Sequence, residues 1–252
     1  MKHLMTAALC LFALLAPLPA RAQAPVGQSV ETDDYIATTL AEGVYSIRHR
    51  RAARRDAVSG NTTVIVGARD VLVVDSCLLP TFAKDDIALI RTWTDKPIRF
   101  LVNTHWHGDH TWGNSAYVEA FPDLTIIGHT ETPRLMMGFL PHFLPKNQTF
   151  PDLLRRMAAE GKDADGNPAD AATVKDTLDA VPNAEWRANE YKSVVTRAPN
   201  VTVDDSMTVD LGGREVQIRH LGRGNTSGDL VVFLPRERIV AAGDLLVYPF
   251  RI

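Results

Sequence analysis

The segment His105-Trp106-His107-Gly108-Asp109-His110 gathers three imidazoles and a carboxylate in a 252-residue chain that has only eight histidines. Neutral imidazole nitrogen and carboxylate oxygen are donors for zinc, and hydrolytic zinc sites keep one coordination position open for water. So ordered a cluster predicts a pair of transition-metal ions rather than a merely polar loop. Its spacing says how they are held. The preceding run, Ile98 to Thr104, is mostly apolar and β-prone, which predicts a buried strand. In extended chain His105 and His107 point to one face and Trp106 to the other. Gly108 permits a turn, and Asp109 and His110 follow just before a helix-like stretch from Trp112 to Ala120. Two ligands from a strand end and two from the next loop can serve two adjacent metals.

Elements that could position this cluster recur along the chain. Strands are predicted near 43–49, 62–67, 71–75, 99–104 and 124–128, with helices near 82–94 and 111–120. Strand signals return at 201–204, 207–210, 214–220, 229–234 and 238–242. Two β-rich halves with helices between them fit an α/β sandwich of two sheets covered outside by helices, with the site where loops of both halves meet. A segment from about 131 to 195 interrupts the pattern and is read as a helical insertion. Asp152 to Glu160 and Ala171 to Leu178 have helical composition, and Asp163-Ala-Asp-Gly-Asn-Pro168 separates them as a solvated turn. That turn lacks the glutamate and spacing of a calcium loop. The apolar stretch Leu135 to Leu144 is either a wall of a substrate pocket or ordinary packing of the insertion.

Residues 1–22 read as a secretory signal. Lys2 and His3 give a short polar start, Met5 to Leu18 an apolar core, and Ala20-Arg21-Ala22 a small-x-small cleavage site. The expectation is a periplasmic or secreted protein without a stable membrane anchor, because the apolar run is short and meets Pro17 and Pro19. Cleavage removes Lys2 and Arg21 and takes the formal charge from −3 to −5. An acidic balance argues against nucleic acid as partner and leaves a small-molecule substrate. Cys77 would be the one remaining cysteine, so no intrachain disulfide is expected, and it reads as a small buried hydrophobe. The Arg48-to-Arg55 run reads as a solvated loop that could also attract an anionic substrate. Isolated His129 and His142 read as structural.

The pattern His-x-His-x-Asp-His after a strand resembles the metallo-β-lactamase superfamily. Asn61-Thr-Thr-Val-Ile-Val-Gly followed by Val71-Leu-Val-Val-Asp75, Leu221-Gly-Arg-Gly-Asn-Thr-Ser-Gly-Asp229, and Ala242-Gly-Asp244-Leu-Leu resemble further motifs of that family. The resemblance implies a four-layer αββα sandwich holding two zinc ions. His105 and His107 would help hold the first zinc, Asp109 and His110 the second, and Asp244 would bridge them. Asp75 would support the site from behind. Asp109 would be catalytic, orienting a zinc-bound hydroxide and passing a proton to the leaving group. The implied activity is β-lactamase-like cleavage of a lactam, lactone, ester or thioester bond. Diiron flavoproteins of the family fit less well, because His107 stands where they need a carboxylate.

Two departures qualify the resemblance. Asn225 stands where the family places another histidine, and an amide oxygen is a weaker zinc donor than imidazole. His220 upstream is the alternative ligand. The sequence also stops at Ile252, ahead of the strand, helices and last zinc ligand that the resemblance implies. The expectation is therefore a truncated chain whose second sheet is partly uncovered and prone to self-association. The competing function is a catalytically degenerate metal- or ligand-binding member of the same fold.

Overall fold

A computed structural model describes residues 25–51 and 57–247. The signal at 1–22 and the middle of the arginine run, 52–56, lie outside the described residues. Among the described residues no helix is long and apolar enough to cross a membrane.

The first sheet has eight strands in sequential order. β1 (Ser29–Glu31), β2 (Tyr35–Ala41), β3 (Val44–His49), β4 (Thr62–Val66) and β5 (Val71–Val74) run as an antiparallel meander. β6 (Ile98–Val102), β7 (Thr125–His129) and β8 (Val201–Val203) then join in parallel. Parallel neighbours need crossovers, and helices supply them. α1 (Pro80–Trp93) links β5 to β6, and α2 (Gly108–Thr111) with α3 (Asn114–Ala120) links β6 to β7. The long pair α4 (Glu131–Glu160) and α5 (Ala171–Glu190) links β7 to β8. The second sheet is an antiparallel set of β9 (Ser206–Asp210), β10 (Glu215–His220), β11 (Leu230–Leu234) and β12 (Ile239–Ala241).

Alternation along β5 shows how the layers are held. Val71 and Val73 join the cluster that packs Phe82, Ala83 and Ile90 of α1 and Tyr117 of α3 against the first sheet. Leu72 and Val74 point the other way, into a second cluster with Ile218 of β10 and Val232 of β11. Period-two side chains on a fully buried strand therefore serve both cores at once. Burying each such aliphatic side chain contributes about 1.5–3 kcal/mol. The described layers are thus helices, large sheet and small sheet. A helical layer on the outer face of the small sheet is not among the described residues.

The predicted strands recur within two residues of their expected ends, but three details differ. β1 and β2 went unpredicted, because β1 is a three-residue, fully exposed edge strand and β2 breaks apolar alternation with a buried Thr39 and an exposed Leu40. The helix expected over 111–120 is broken into α2 and α3 at Gly113. The insertion's first helix begins at Glu131, not Asp152, and runs through Pro141, Pro145 and Pro151. Local propensity lost there to tertiary contact: Met136 and Leu140 are buried in the main core, and Leu154 packs on Val181 and Ala184 of α5. Asp163 does form the expected turn, accepting the backbone N–H groups of Asp165 and Asn167.

Candidate metal centre

β6 ends at Val102, and Asn103, Thr104 and His105 continue it into the edge between the two sheets. The Asn103 N–H reaches Ile127 O of β7 at 2.8 Å, while Thr104 O accepts from Leu230 N of β11 at 2.7 Å. His105 is therefore fixed by backbone bonds to both sheets and is fully buried. His107 caps α2 from extended backbone, and that single turn carries Asp109 and His110 back towards His105. Asp244 arrives from the other sheet, in a short 3-10 turn, Gly243–Leu245, after β12. Gly243 has φ 53°, and a Cβ there would lie 2.6 Å from Thr104 Oγ1, so only glycine lets Asp244 approach so closely. Gly60 plays a similar part opposite, where a Cβ would sit 2.8 Å from His110 Cε1.

Behind these side chains lies Asp75, buried and in left-handed backbone at φ 61°. Its Oδ1 accepts Thr104 N at 2.8 Å, and its Oδ2 accepts both Thr104 Oγ1 and His110 Nδ1 at 2.8 Å. A carboxylate only accepts, so His110 carries a proton on Nδ1 and turns Nε2 outward, where that atom can ligate once a cation displaces its own proton. The Thr104 hydroxyl, having donated to Asp75, accepts from His105 Nδ1 at 3.1 Å. That leaves the His105 Nε2 lone pair outward as well. One carboxylate thus sets both tautomers, as outer partners of metal-binding histidines do.

The outward atoms converge. His105 Nε2 and His107 Nδ1 are 3.0 Å apart. Asp244 Oδ2 lies 3.6 Å from His105 Nε2, and Asp244 Oδ1 lies 3.2 Å from His110 Nε2. Asp109 Oδ2 is 3.4 Å from the same His110 nitrogen. Donor atoms of His105, His107 and Asp244 lie within 4.8 Å of one another, as do those of Asp109, His110 and Asp244. The sets share Asp244 and give it one oxygen for each, so the donors fit two neighbouring cations.

Electrostatics agree. Burial, reinforced by the neighbouring His110, pushes the His105 pKa down to about 4, so it is neutral and able to ligate near pH 7. Burial also opposes charge on His110, but Asp75, Asp109 and Asp244 outweigh it and hold its pKa well above the ordinary value. Asp244 is held low chiefly by its hydrogen bond to His110. Asp109 is held low too: burial opposes this, and the contact with His110 prevails. Three carboxylates around one buried imidazole form a negative pocket that a proton or a cation neutralises.

Asn225 also belongs to this group. Its Nδ2 lies 3.3 Å from His107 Nδ1, 3.5 Å from His105 Nε2 and 3.2 Å from Asp244 Oδ2. A half-turn of the amide would present Oδ1 to the same point. His220 does not join it. The His220 ring packs on His129 at 4.2 Å, and its Nδ1 bonds to Asp229 O at 2.8 Å. His142 is exposed on α4. Of the arginine run, Arg50 binds Glu31 and Thr32 O rather than the site. Sequence reasoning missed Thr104, whose signal was only its position before His105. It also missed the brace by which Asp229 Oδ2 accepts Thr226 N and Thr226 Oγ1, both at 2.6 Å, and so shapes the loop bearing Asn225. The stretch Leu135 to Leu144 takes part in ordinary packing of the insertion. Met136 and Leu140 pack inward, while exposed Phe139 stacks on Trp106 at 5.0 Å beside His107.

Comparisons with known proteins bear on the fold and the family. No curated protein matches the chain. Among solved structures, a metallo-beta-lactamase from Pontibacter korlensis is similar at 16% identity and TM-score 0.50, covering 82% of this chain and 70% of that one. One from Hirschia baltica gives 14% identity and TM-score 0.51, covering 83% and 70%. A double mutant of the sec-alkyl sulfatase PisA1 gives 15% identity and TM-score 0.51, with 82% of this chain spanning 30% of that protein. At such identities these likenesses speak for the fold alone. The metallo-beta-lactamase superfamily profile itself matches residues 55–252, and the chain belongs to that superfamily.

Proposed function

We propose that the chain is an exported, zinc-dependent, β-lactamase-like hydrolase that cleaves a lactam, lactone, ester or thioester bond in a small molecule. One observation carries the reading: Asp244 divides its two oxygens between two sets of donors, each with at least one histidine. His105, His107 and Asp244, with the Asn225 amide oxygen, would hold one ion, and Asp109, His110 and Asp244 the other. A zinc pair bound there supplies a water of near-neutral pKa and polarises the carbonyl under attack.

The chain's own residues supply the rest. Asp75, directly and through Thr104, keeps the Nε2 atoms of His110 and His105 turned into the site. Asp109 is ionised and about one-third exposed at its side chain, so it can take a proton from the attacking water and return it to the leaving group. Trp106 and Phe139 form an apolar face beside His107 that suits a hydrophobic substituent of the substrate and excludes water from that side. Export rests on the sequence of residues 1–22.

Asn225 favours one rival, a member that binds metal or ligand without turnover, because its amide is a poorer donor than imidazole. A panel of a cephalosporin, a carbapenem, a lactone and a thioester separates the two. The hydrolase reading expects turnover of at least one of them that a chelator abolishes, zinc restores and D109N lowers at least a hundredfold. Zinc uptake without turnover of any would leave the binding protein.

A further inference from the structure

On the opposite side of the Asp75-Ser76-Cys77 turn lies a second group of donors that the hydrolytic centre does not use. Asp75 faces His110. Cys77, also in left-handed backbone at φ 60°, lies with His49 from the end of β3 and Asp86 from α1. One donor atom from each of these three lies within 4.8 Å of the others. Cys77 belongs to the apolar cluster with Leu79, Phe82 and Tyr117, the His49 ring stacks on Phe82, and Asp86 is buried beside them.

We propose that His49, Cys77 and Asp86 bind a single borderline-soft divalent cation, of the zinc and cobalt type, as a buried structural site. Imidazole, thiolate and carboxylate form a donor set that such ions favour, with ligand distances of about 2.0–2.3 Å. Those distances place donors on a common ion roughly 3.5 Å apart in a tetrahedron. The observed spread therefore closes onto an ion by movements on the order of an ångström. The group is also left unsatisfied without one. His49 Nε2 lies 3.3 Å from Asp86 Oδ2 but makes no hydrogen bond with it, and among the described residues it finds no other partner. Its side chain is 7% exposed. The neighbouring Tyr117 hydroxyl, fully buried, has no partner among the described residues either and is near enough to Asp86 to feel its charge. Among the described residues, Thr62 Oγ1, at 2.7 Å, is the one hydrogen-bond donor to Asp86. A buried polar atom left without a partner destabilises the fold, and a cation would give His49 Nε2 the partner it lacks.

The ion would tie β3, the turn after β5 and the second turn of α1 together directly behind the turn that presents Asp75. Because Cys77 and Asp86 are almost fully buried, loading is expected during folding rather than afterwards. The inference does not depend on the hydrolytic reading, because no cysteine lies in that centre.

Cysteine makes the test specific. In the full chain carrying C10S, Cys77 is the sole thiol. Expressed in zinc-depleted, cobalt-supplemented medium, this protein is expected to show a near-ultraviolet thiolate-to-cobalt charge-transfer band. Histidine and carboxylate ligands at the other centre cannot produce that band. C10S/C77S should lose the band and one metal equivalent while keeping the weaker visible absorption of cobalt on histidine and carboxylate. H49Q should weaken the band while keeping the thiol. Cobalt uptake without the band in the C10S chain, or no cobalt uptake at all, overturns the proposal whether or not the other variants fold.

Discussion

Replacing Asp75 with Asn keeps the shape of the side chain and reverses the hydrogen-bond logic behind the metal centre. The amide oxygen can still accept Thr104 N, which leaves the NH2 group facing Thr104 Oγ1 and His110 Nδ1, each 2.8 Å from Oδ2 in the wild type. The amide donates to His110 Nδ1, so the His110 proton moves to Nε2, the atom needed for metal. It also donates to the Thr104 hydroxyl, which then turns its own hydrogen towards His105 Nδ1, so that the His105 proton moves outward too. One substitution misdirects two ligands. Loss of an outer partner typically weakens metal binding about 10- to 100-fold, or about 1.4–2.7 kcal/mol. With two histidines affected, D75N belongs at the upper end, near 100-fold. One effect opposes this: without Asp75, His110 gives up its proton more easily, which favours ligation. Measuring at about pH 8 reduces that advantage, because less competition with the proton remains to be relieved. The assay is zinc affinity by competition against a chromophoric chelator, with circular dichroism to establish folding. A folded D75N chain that binds zinc within about threefold of the wild type would refute the role given to Asp75.

Three further outcomes follow from the same geometry. N225H should tighten zinc binding by about tenfold or more, roughly 1.4 kcal/mol, because imidazole replaces an amide; unchanged affinity would remove Asn225 from the ligand set. G243A should lower stability in urea by about 1–3 kcal/mol, from left-handed strain and the Cβ clash with Thr104, and a neutral effect would contradict the close approach of Asp244. Burial and the adjacent His220 hold the His129 pKa below its ordinary value, so its contribution to stability is whole above about pH 6.5 and is lost as pH falls towards the lowered value. Thermal scans of the metal-free chain should accordingly show a larger fall in midpoint between about pH 7.5 and pH 5 for wild type than for H220Q, and equal falls would show that His220 adds nothing to the acid sensitivity that burial gives His129.

Much of the site was legible in the sequence because its chemistry is local. His105, His107, Asp109 and His110 lie on one strand end and one helical turn, so spacing alone implied their convergence. Asp75, Asp244 and Asn225 came from distant segments, and the resemblance rather than any periodicity pointed to them. The structure brings all three to the same group of histidines, Asp75 from behind and Asp244 and Asn225 from the front. Thr104 was not legible, since its role depends on which oxygen of Asp75 it meets. His220 was a reasonable substitute ligand by sequence distance, but β10 carries it to His129 instead. Prolines at 141, 145 and 151 argued locally against the helix that Met136, Leu140 and Leu154 stabilise through long-range packing. The His49–Cys77–Asp86 group was invisible for a related reason. Its members look like a strand end, a small hydrophobe and a helix charge until the fold brings them together.

The most direct test of the account is a zinc titration of the metal-free C10S/C77S chain, with bound metal and hydrolysis of the substrate panel followed together. The account predicts uptake of two ions per chain at the Asp244-centred sites, turnover of at least one substrate rising with that uptake, and loss of both on replacing His107 or Asp244. A folded chain that binds no zinc at these residues, or hydrolyses a substrate equally well without it, would contradict the account.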